Sequence, residues 1–154
     1  MRPQSNLSYL IQHLAAVLNK QADYLLQKHL NIGMSQYRIL MVLEWNPRIG
    51  QRAIADSLGQ TEASISRQIR LLIDKGLLIS KPDPLNRRKH ITAPSLKGMK
   101  VTEAANDMLK RDFSADTSKL SSHQQLQLAN DLQLLHKSIC RPGKLGACDH
   151  QLGL

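Results

Sequence analysis

The block from Gln51 to Thr92 constrains the fold of this chain more than any other stretch of the sequence. It begins with two short segments of helical periodicity, Gln51–Leu58 and Thr61–Lys75, which are separated by a turn at Gly59. Apolar residues recur on one side of each segment, at Ile54, Ala55, Leu58, Ile65, Ile69, Leu72 and Ile73. Because helices of this length are marginal in water by themselves, both are expected to pack against the rest of the chain.

The periodicity changes immediately after this pair of helices. Leu77–Ser80 and Lys89–Thr92 are short runs typical of β-strands, and the turn-forming sequence Asp83–Asn86 lies between them. A hairpin of two strands is marginally stable alone, so it is expected to lean on the helices. Two short helices, a tight turn and a following hairpin together indicate a winged helix-turn-helix.

Four further helices are predicted around this block from apolar spacing and terminal residues. They run from Asn6 to His29, from Ser35 to Trp45, from Ser95 to about Asp116, and from Ser121 to about Cys140. Ser121 and Gln124 have the spacing of a capping box, and Met34 and Ile39 have that of a hydrophobic staple around Ser35. The predicted fold is therefore mainly α, with a winged lobe between long terminal helices.

The 154 residues suffice for about one folded unit with its own core. We expect residues 34–93 to form a DNA-binding winged helix-turn-helix domain of three helices and a two-stranded wing. Residues 6–30 and 95–140 are expected to form a helical dimerisation region, because their apolar stripes exceed what the small lobe can cover. Residues 141–154 contain Pro142 and three glycines and are expected to form a flexible tail.

The charge balance favours an anionic partner. The chain has 21 Lys and Arg against 12 Asp and Glu, a formal net charge of +9, which would attract DNA, RNA or an anionic membrane. No apolar run approaches the length of a membrane span. Polar residues also interrupt every apolar stretch from Met1 to Leu14, so a signal peptide is not expected. We therefore expect a cytoplasmic protein.

The second helix of the predicted helix-turn-helix carries the residue types that contact a DNA major groove. Small polar and basic side chains avoid its apolar stripe, at Thr61, Ser64, Ser66, Arg67 and Arg70. An Arg side chain fits guanine edges or phosphates, and hydroxyl groups near a helix N-terminus fit phosphates. The alternative is an ordinary solvated face, which every surface helix has.

The hairpin adds a second basic element beside this helix. Arg87, Arg88, Lys89 and His90 are consecutive, and Lys81 lies on the other strand. Arg87, Arg88 and Lys89 are predicted to contact DNA in a minor groove or along its backbone. The alternative, a solubilising turn, does not require four such residues in a row.

The order and spacing of several motifs in this chain resemble those of the MarR family of bacterial regulators. The matching motifs are Met34-Ser35-Gln36-Tyr37-Arg38-Ile39-Leu40, Ile54-Ala55-Asp56-Ser57-Leu58-Gly59, Ser64-Ile65-Ser66-Arg67, Leu72-Ile73-Asp74-Lys75-Gly76-Leu77-Leu78, Asp83-Pro84, Arg87-Arg88, Ser95 and Lys97-Gly98. The resemblance extends over roughly residues 7–139. It implies a triangular homodimer held by the first, fifth and sixth helices. It also implies a pseudo-palindromic operator, and often release by small anionic or phenolic ligands or by cysteine oxidation.

The wing departs from the family pattern at two positions. Asn86 stands where the family usually has an acidic residue that pairs with an Arg within the wing, so Asp83 is the candidate partner for Arg87 or Arg88 instead. Pro94 stands where leucine is common, and it is expected to weaken the last strand pairing because proline lacks a backbone donor.

Two minor sites are considered beside DNA binding. Tyr9, His13, Tyr37 and Trp45 are candidate ligand-binding residues for a cleft between the helical region and the lobe. Cys140 and Cys148 are candidate redox residues, since Arg141 and Lys144 give them basic neighbours. His136 and Cys140 have the spacing of a metal pair, but chance placement is the preferred interpretation, and no metal or other cofactor is predicted.

We expect a non-enzymatic DNA-binding transcriptional regulator, most simply a repressor released by a small ligand. No Ser-His-Asp set, glycine-rich phosphate loop or acidic pair typical of enzymes is evident in the sequence. The alternatives are a redox-responsive regulator that uses its cysteines, a winged-helix module that binds protein or RNA, and a small enzyme with an unrecognised site.

Overall fold

The computed structural model describes residues 6–140, which form six α-helices and one antiparallel two-stranded sheet. In chain order these elements are α1 (Leu7–Leu30), α2 (Met34–Trp45), α3 (Gln51–Leu58), α4 (Glu62–Asp74), β1 (Leu78–Asp83), β2 (Asn86–Pro94), α5 (Leu96–Thr117) and α6 (Ser122–Ile139). The predicted mainly helical, winged helix-turn-helix fold is confirmed. The predicted tail, residues 141–154, lies outside the described residues.

The predicted helix starts at Asn6, Thr61, Ser95 and Ser121 are all confirmed. Each of these side chains accepts a hydrogen bond from a backbone N–H in the first turn of its helix. Such caps satisfy donors that have no partner inside the helix, which is why Ser, Thr and Asn mark these boundaries in a sequence. At the other end of α1, Asn31 ends the helix in a left-handed conformation with φ of 53°.

The start of α2 differs from the prediction, which made Ser35 its cap. Gly33 is the N-cap, and Met34 already lies inside the helix, so the predicted staple around Ser35 is wrong. Glycine has no side-chain acceptor, and the carboxylate of Asp23 in α1 takes that role: its Oδ1 accepts from the Met34 N–H at 2.7 Å. A cap supplied from another helix leaves no local pattern in the sequence.

The hairpin is longer than predicted. β1 and β2 pair in antiparallel register from Leu78 opposite Pro94 to Pro82 opposite His90, with an irregularity between Pro82 and Asp83. Most of its residues are exposed on both faces, so the apolar alternation that marks a strand in a sequence is missing beyond its base. Pro94 does not prevent pairing, because it lies at the end of the ladder.

The core is built around α2, which contributes Ile39, Leu40, Val42 and Leu43 to it. The other fully or nearly fully buried apolar residues come from every other element except β2 and α6, and they are Leu26, Ile32, Ile54, Ala55, Ile65, Ile69, Leu72, Leu77, Leu78 and Ala105. Ile73 was predicted to point inward with Leu72, but it is exposed. A helix of 3.6 residues per turn places Ile73 about 100° away from Leu72, outside the buried face.

A broad apolar surface remains uncovered on α1, α5 and α6. No residue of α6 is buried, and Leu126, Leu132 and Ile139 of that helix are exposed. Exposed apolar residues continue on α5 and α1, at Phe113, Leu7, Leu10, Ile11, Leu14 and Leu18. A patch of this extent is unusual on a monomer and indicates an interaction surface.

Gly98 permits a close contact where α5 leaves the hairpin. A Cβ atom at this position would lie 2.0 Å from the backbone oxygen of Leu77, which also accepts a hydrogen bond from the Ser95 N–H at 3.0 Å. No side chain larger than hydrogen therefore fits without moving backbone. The lobe and the long helix α5 are joined through this contact.

We predict that Gly98→Ala destabilises the protein by about 1–3 kcal/mol, because overpacking against backbone outweighs the better helix propensity of Ala. Urea denaturation followed by circular dichroism measures this change. Gly50→Ala is the matched control, since nothing lies within 4 Å of its added Cβ. Equal midpoints for the two variants would show that the Leu77 contact is not tight in solution.

Candidate nucleic-acid interface

The turn between α3 and α4 positions α4 as the exposed helix of the pair. Gly59 adopts a left-handed conformation with φ of 62°, which a residue without a Cβ adopts at no cost. Gln60 N–H then donates to the Ala55 carbonyl at 2.9 Å, and Thr61 Oγ1 accepts from Ser64 N–H at 3.2 Å. The chain thus reverses within three residues, and α4 starts directly over the end of α3.

The apolar face of α4 determines which side chains point outward. Ile65, Ile69 and Leu72 are buried against the core. Arg67 and Arg70 are exposed, and within residues 6–140 neither guanidinium group has a hydrogen-bond or salt-bridge partner. Two guanidinium groups three residues apart share one face of a helix, as predicted, and both are available to a ligand.

The three hydroxyl residues predicted to contact DNA have different surroundings. Thr61 uses its oxygen to cap α4, and Ser64 donates its hydroxyl proton to Gln60 Oε1 at 3.3 Å. Ser66 is half-buried and lines a cleft between α4 and the wing. All three lie near the start of α4, but only Ser66 keeps its hydroxyl group without an internal partner among the described residues. Their contact with DNA stays a prediction.

A polar network that sequence reasoning missed holds α4 against α2. Gln36 is 8% exposed, and its Nε2 donates to Gln68 Oε1 at 2.9 Å. Lys75 Nζ donates to Gln36 Oε1 at 3.2 Å and to the carbonyl oxygen of Asn31 at 2.7 Å. These bonds tie the middle and the end of α4 to the junction of α1 and α2. Glutamines on a polar boundary give no sequence signal, because the partner of each lies 32 or more residues away.

We use the term wing for β1, β2 and the turn between them. Arg87, Arg88 and Lys89 are exposed on β2, as predicted for residues that contact DNA. Asn86 Oδ1 accepts from the Arg88 N–H at 3.2 Å, which orders the chain as it leaves the turn. The wing therefore presents a row of basic side chains, and His90, which follows this row, lines the same cleft as Arg70 of α4.

The acidic partner predicted for this row is wrong. Asp83 was expected to pair with Arg87 or Arg88, but its Oδ2 lies 2.9 Å from Nη1 of Arg48, in the segment between α2 and α3. The Asp83 carboxylate points toward the body of the protein, whereas Arg87 and Arg88 point to solvent. The two wing arginines are consequently free of an internal carboxylate among the described residues. Arg48 is a further residue whose role the sequence does not indicate.

The predicted ligand-binding residues have different surroundings. The rings of Tyr9 and His13 stack on α1, with centroids 5.7 Å apart, and Trp45 is 76% exposed at the end of α2. Tyr37 is buried and donates to Asn106 Oδ1 of α5 at 2.5 Å. Burial raises the pKa of the Tyr37 phenol, with a smaller opposing effect of Arg38, so it stays neutral and able to donate near pH 7. A ligand role for any of the four stays a prediction.

The redox and metal candidates gain no geometric support. Cys140 is a half-buried free thiol that follows α6, and Cys148 lies outside the described residues. Residues 6–140 contain no group of three or more His, Cys, Asp or Glu side chains placed to hold a metal ion. None of the described helices is long and apolar enough to cross a membrane.

Comparison with known proteins points to one family. Residues 30–89 match the MarR family model. A putative transcriptional regulatory protein for the hcr operon of Thauera aromatica is 30% identical over 104 residues, which cover 66% of this chain and 61% of that protein. The chain thus aligns with about three fifths of the length of this curated relative.

Solved structures share the fold at low identity. The Staphylococcus aureus MepR–DNA complex has a TM-score of 0.68 at 23% identity and covers 88% of this chain and 97% of MepR. Wild-type Escherichia coli MarR has a TM-score of 0.74 at 18% identity and covers 84% of this chain and 96% of MarR. A Mycobacterium tuberculosis MarR family protein in complex with salicylic acid has a TM-score of 0.72 at 19% identity and covers 85% of this chain and 96% of that protein.

The fold, with two exposed arginines on α4 next to a basic wing, defines a winged helix-turn-helix protein. The family model and the curated relative make this chain similar to the MarR family of transcriptional regulators. This similarity agrees with the prediction of a non-enzymatic protein, because the proteins of that family are regulators.

Proposed function

We propose that this protein is a transcriptional regulator that binds a pseudo-palindromic DNA operator as a homodimer. The observation that carries the proposal is the outward face of α4, where Arg67 and Arg70 are exposed and have no partner among the described residues, beside the basic row of the wing. In a helix-turn-helix the second helix enters the major groove. The wing then lies over the adjacent minor groove, where basic side chains meet a strong negative potential.

The dimer follows from the uncovered apolar surface on α1, α5 and α6. In a two-fold dimer the same surface of each protomer is buried against its partner, so one interface covers both copies. Residues 6–30 and 95–140 are accordingly proposed as the dimerisation region, and residues 34–93 as the DNA-binding domain. A two-fold dimer presents two copies of α4, and its operator should repeat with the same symmetry.

Arg67 and Arg70 are assigned different roles. Arg67 is nearer the N-terminus of α4, the part of this motif that contacts base edges, so we assign it to a guanine or to a phosphate beside one. Arg70 also borders the cleft next to the wing, and we assign it to the DNA backbone. Thr61, Ser64, Ser66, Arg87, Arg88 and Lys89 complete the proposed contact surface.

Regulation by a small effector and repression are further parts of the proposal. The relative from Mycobacterium tuberculosis binds salicylic acid, an anionic phenol, which supports an effector of that chemical class. A repressor that leaves its operator when an effector binds is the simplest regulator of this type. A protein that binds operators acts where the DNA is, so we propose a cytoplasmic location.

We predict a stable homodimer at micromolar concentration, measured by sedimentation velocity. Replacing Leu126 and Leu132 on α6 with Glu should shift the protein toward the monomer, because charges would be buried in the interface. Glu at exposed Leu85 in the wing is the matched control and should leave the dimer intact. A wild-type chain that sediments as a monomer would contradict the dimer.

Operator binding should depend steeply on salt. If the dimer makes about six to ten phosphate contacts, affinity should fall by about 10³–10⁵ between about 50 and 200 mM salt. Arg88→Ala should weaken binding to all sequences and make the logarithmic salt dependence less steep by about 0.9 for each phosphate that is no longer bound. Fluorescence anisotropy with a labelled duplex measures both quantities, and a flat salt response would count against the electrostatic model.

Selection of bound duplexes from a random pool separates base contacts from backbone contacts. Arg67→Ala should relax the preference at one symmetric pair of positions, since a bidentate arginine–guanine pair contributes about 1–3 kcal/mol of discrimination. Arg70→Ala is the matched comparison and should lower affinity evenly while the selected sequence persists. An unchanged sequence preference for Arg67→Ala would show that Arg67 does not contact a base.

A further inference from the structure

The part of the wing from Ile79 to His90, which we call the outer wing, has a single buried residue, and that residue is charged. From Ile79 to Pro82 every residue of β1 is exposed, and from Pro84 to His90 every residue is exposed as well. Asp83 between them is 8% exposed. Carboxylates are seldom buried unless they are paired. The buried carboxylate of Asp83 must therefore have partners that compensate for its loss of water.

The two carboxylate oxygens of Asp83 have separate partners. Oδ2 accepts from Nη1 of Arg48 at 2.9 Å, and Oδ1 accepts from the backbone N–H of Leu85 at 2.8 Å. The second bond is the local side-chain-to-backbone bond that closes an Asx turn. One carboxylate thus orders the tip of the wing and also attaches that tip to the segment between α2 and α3.

The middle of the wing lacks comparable support. A cleft of about 310 Å³ separates it from α3 and α4. Ser80, His90 and Thr92 line the cleft on the wing side, and Ile54 and Ile69 are among the residues that line it on the helix side. The wing is fixed at its base by buried Leu78 and at its outer end by the Arg48–Asp83 ion pair, the one salt bridge found within residues 6–140.

We propose that Arg48 is a positioning residue for DNA recognition that acts through Asp83. The Arg48–Asp83 ion pair holds the outer wing at a set distance from α4, so that the wing and α4 can contact one duplex together. The proposal rests on the proposed DNA-binding function. Because Asp83 lies two positions before the turn residue Leu85 and four before Arg87, its attachment fixes the backbone that carries the basic row.

Loss of the guanidinium would leave a buried carboxylate with only the Leu85 N–H as partner. An unpaired buried charge is strongly unfavourable, so Asp83 would turn toward water and release the turn. The wing would then pivot over the open cleft, and its arginines would lose their fixed place on the DNA. Arg48 is itself 52% exposed, so a direct bond from Arg48 to a phosphate is the competing explanation that the test must separate.

A double-mutant cycle on the full chain separates these explanations. Arg48→Ala, Asp83→Asn and the double variant are titrated against the duplex selected by the wild type. Arg48→Ala should weaken binding roughly tenfold and make the salt dependence less steep by about 0.9 for each phosphate that the wing no longer reaches. In the Asp83→Asn background, removal of Arg48 should have little further effect. Arg48→Lys should recover part of the affinity, because an ammonium group also pairs with a carboxylate.

The matched control is Arg111→Ala, which removes the same charge from the exposed surface of α5. It should leave affinity within about twofold of the wild type, since surface charges far from the DNA are largely screened. Arg48→Ala and Asp83→Asn effects that simply add would overturn the proposal, because they would show that Arg48 contacts DNA without Asp83.

Hydrogen exchange without DNA gives a readout that does not depend on the proposed function. In Arg48→Ala the Leu85 amide should exchange faster, while the amides of α4 keep their wild-type rates. Unchanged exchange at Leu85 would overturn the proposal even if DNA binding were abolished. If the wild type selects no DNA sequence at all, the proposed function fails, and the exchange experiment still decides whether Arg48 holds the wing.

Discussion

The burial of one face of α4 against α2 is the constraint on which the rest of the site depends. Ile65, Ile69 and Leu72 enter a core whose centre is α2, and this burial leaves only the opposite face of α4 for a partner. Each fully buried side chain of this size contributes about 1.5–3 kcal/mol, so a rotation of α4 that hid its arginines would expose these residues at large cost. The position of Arg67 and Arg70 thus follows from apolar packing on the other side of the helix.

Hydrogen bonds fix the position of α4 more closely than apolar burial alone. Gln36, Gln68 and Lys75 fix α4 along and around its axis, because hydrogen bonds are directional and apolar contacts are not. Asp23 ties the first turn of α2 to α1 in the same way. The lobe and the helical region are also linked through Tyr37 and Asn106. A change on α1 or α5 therefore has direct physical contacts through which it reaches the proposed DNA-binding face.

The features that sequence predicted well depend on neighbouring residues. Helical spacing indicated the six helices, and caps such as Asn6, Thr61 and Ser121 indicated their starts, because each of these signals lies within a few residues of its effect. The outward position of Arg67 and Arg70 was predictable for the same reason. The resemblance to the MarR family connected these local features into one fold, and the family match over residues 30–89 agrees with it.

The features that sequence missed join distant parts of the chain. Asp83 and Arg48 are 35 residues apart, and nothing in either segment distinguishes Arg48 from other exposed arginines. Sequence likewise does not distinguish Asp23 of α1, which accepts a hydrogen bond from the first turn of α2, or Gln36, which pairs with Gln68. The hairpin was underestimated because its outer residues are exposed on both faces and show no alternation. Long-range polar pairing and two-sided exposure thus account for most of the differences.

The proposed function requires two copies of α4 and two wings to contact one duplex with two-fold symmetry. Hydroxyl-radical footprinting of the wild-type protein on its selected duplex reports this symmetry. We expect protection arranged symmetrically about the operator centre, with the two half-sites centred about one helical turn, roughly 10–10.5 base pairs, or a multiple of it apart, and with outer protected stretches from the wings. A footprint without a centre of symmetry, or uniform protection of every duplex offered, would contradict the account.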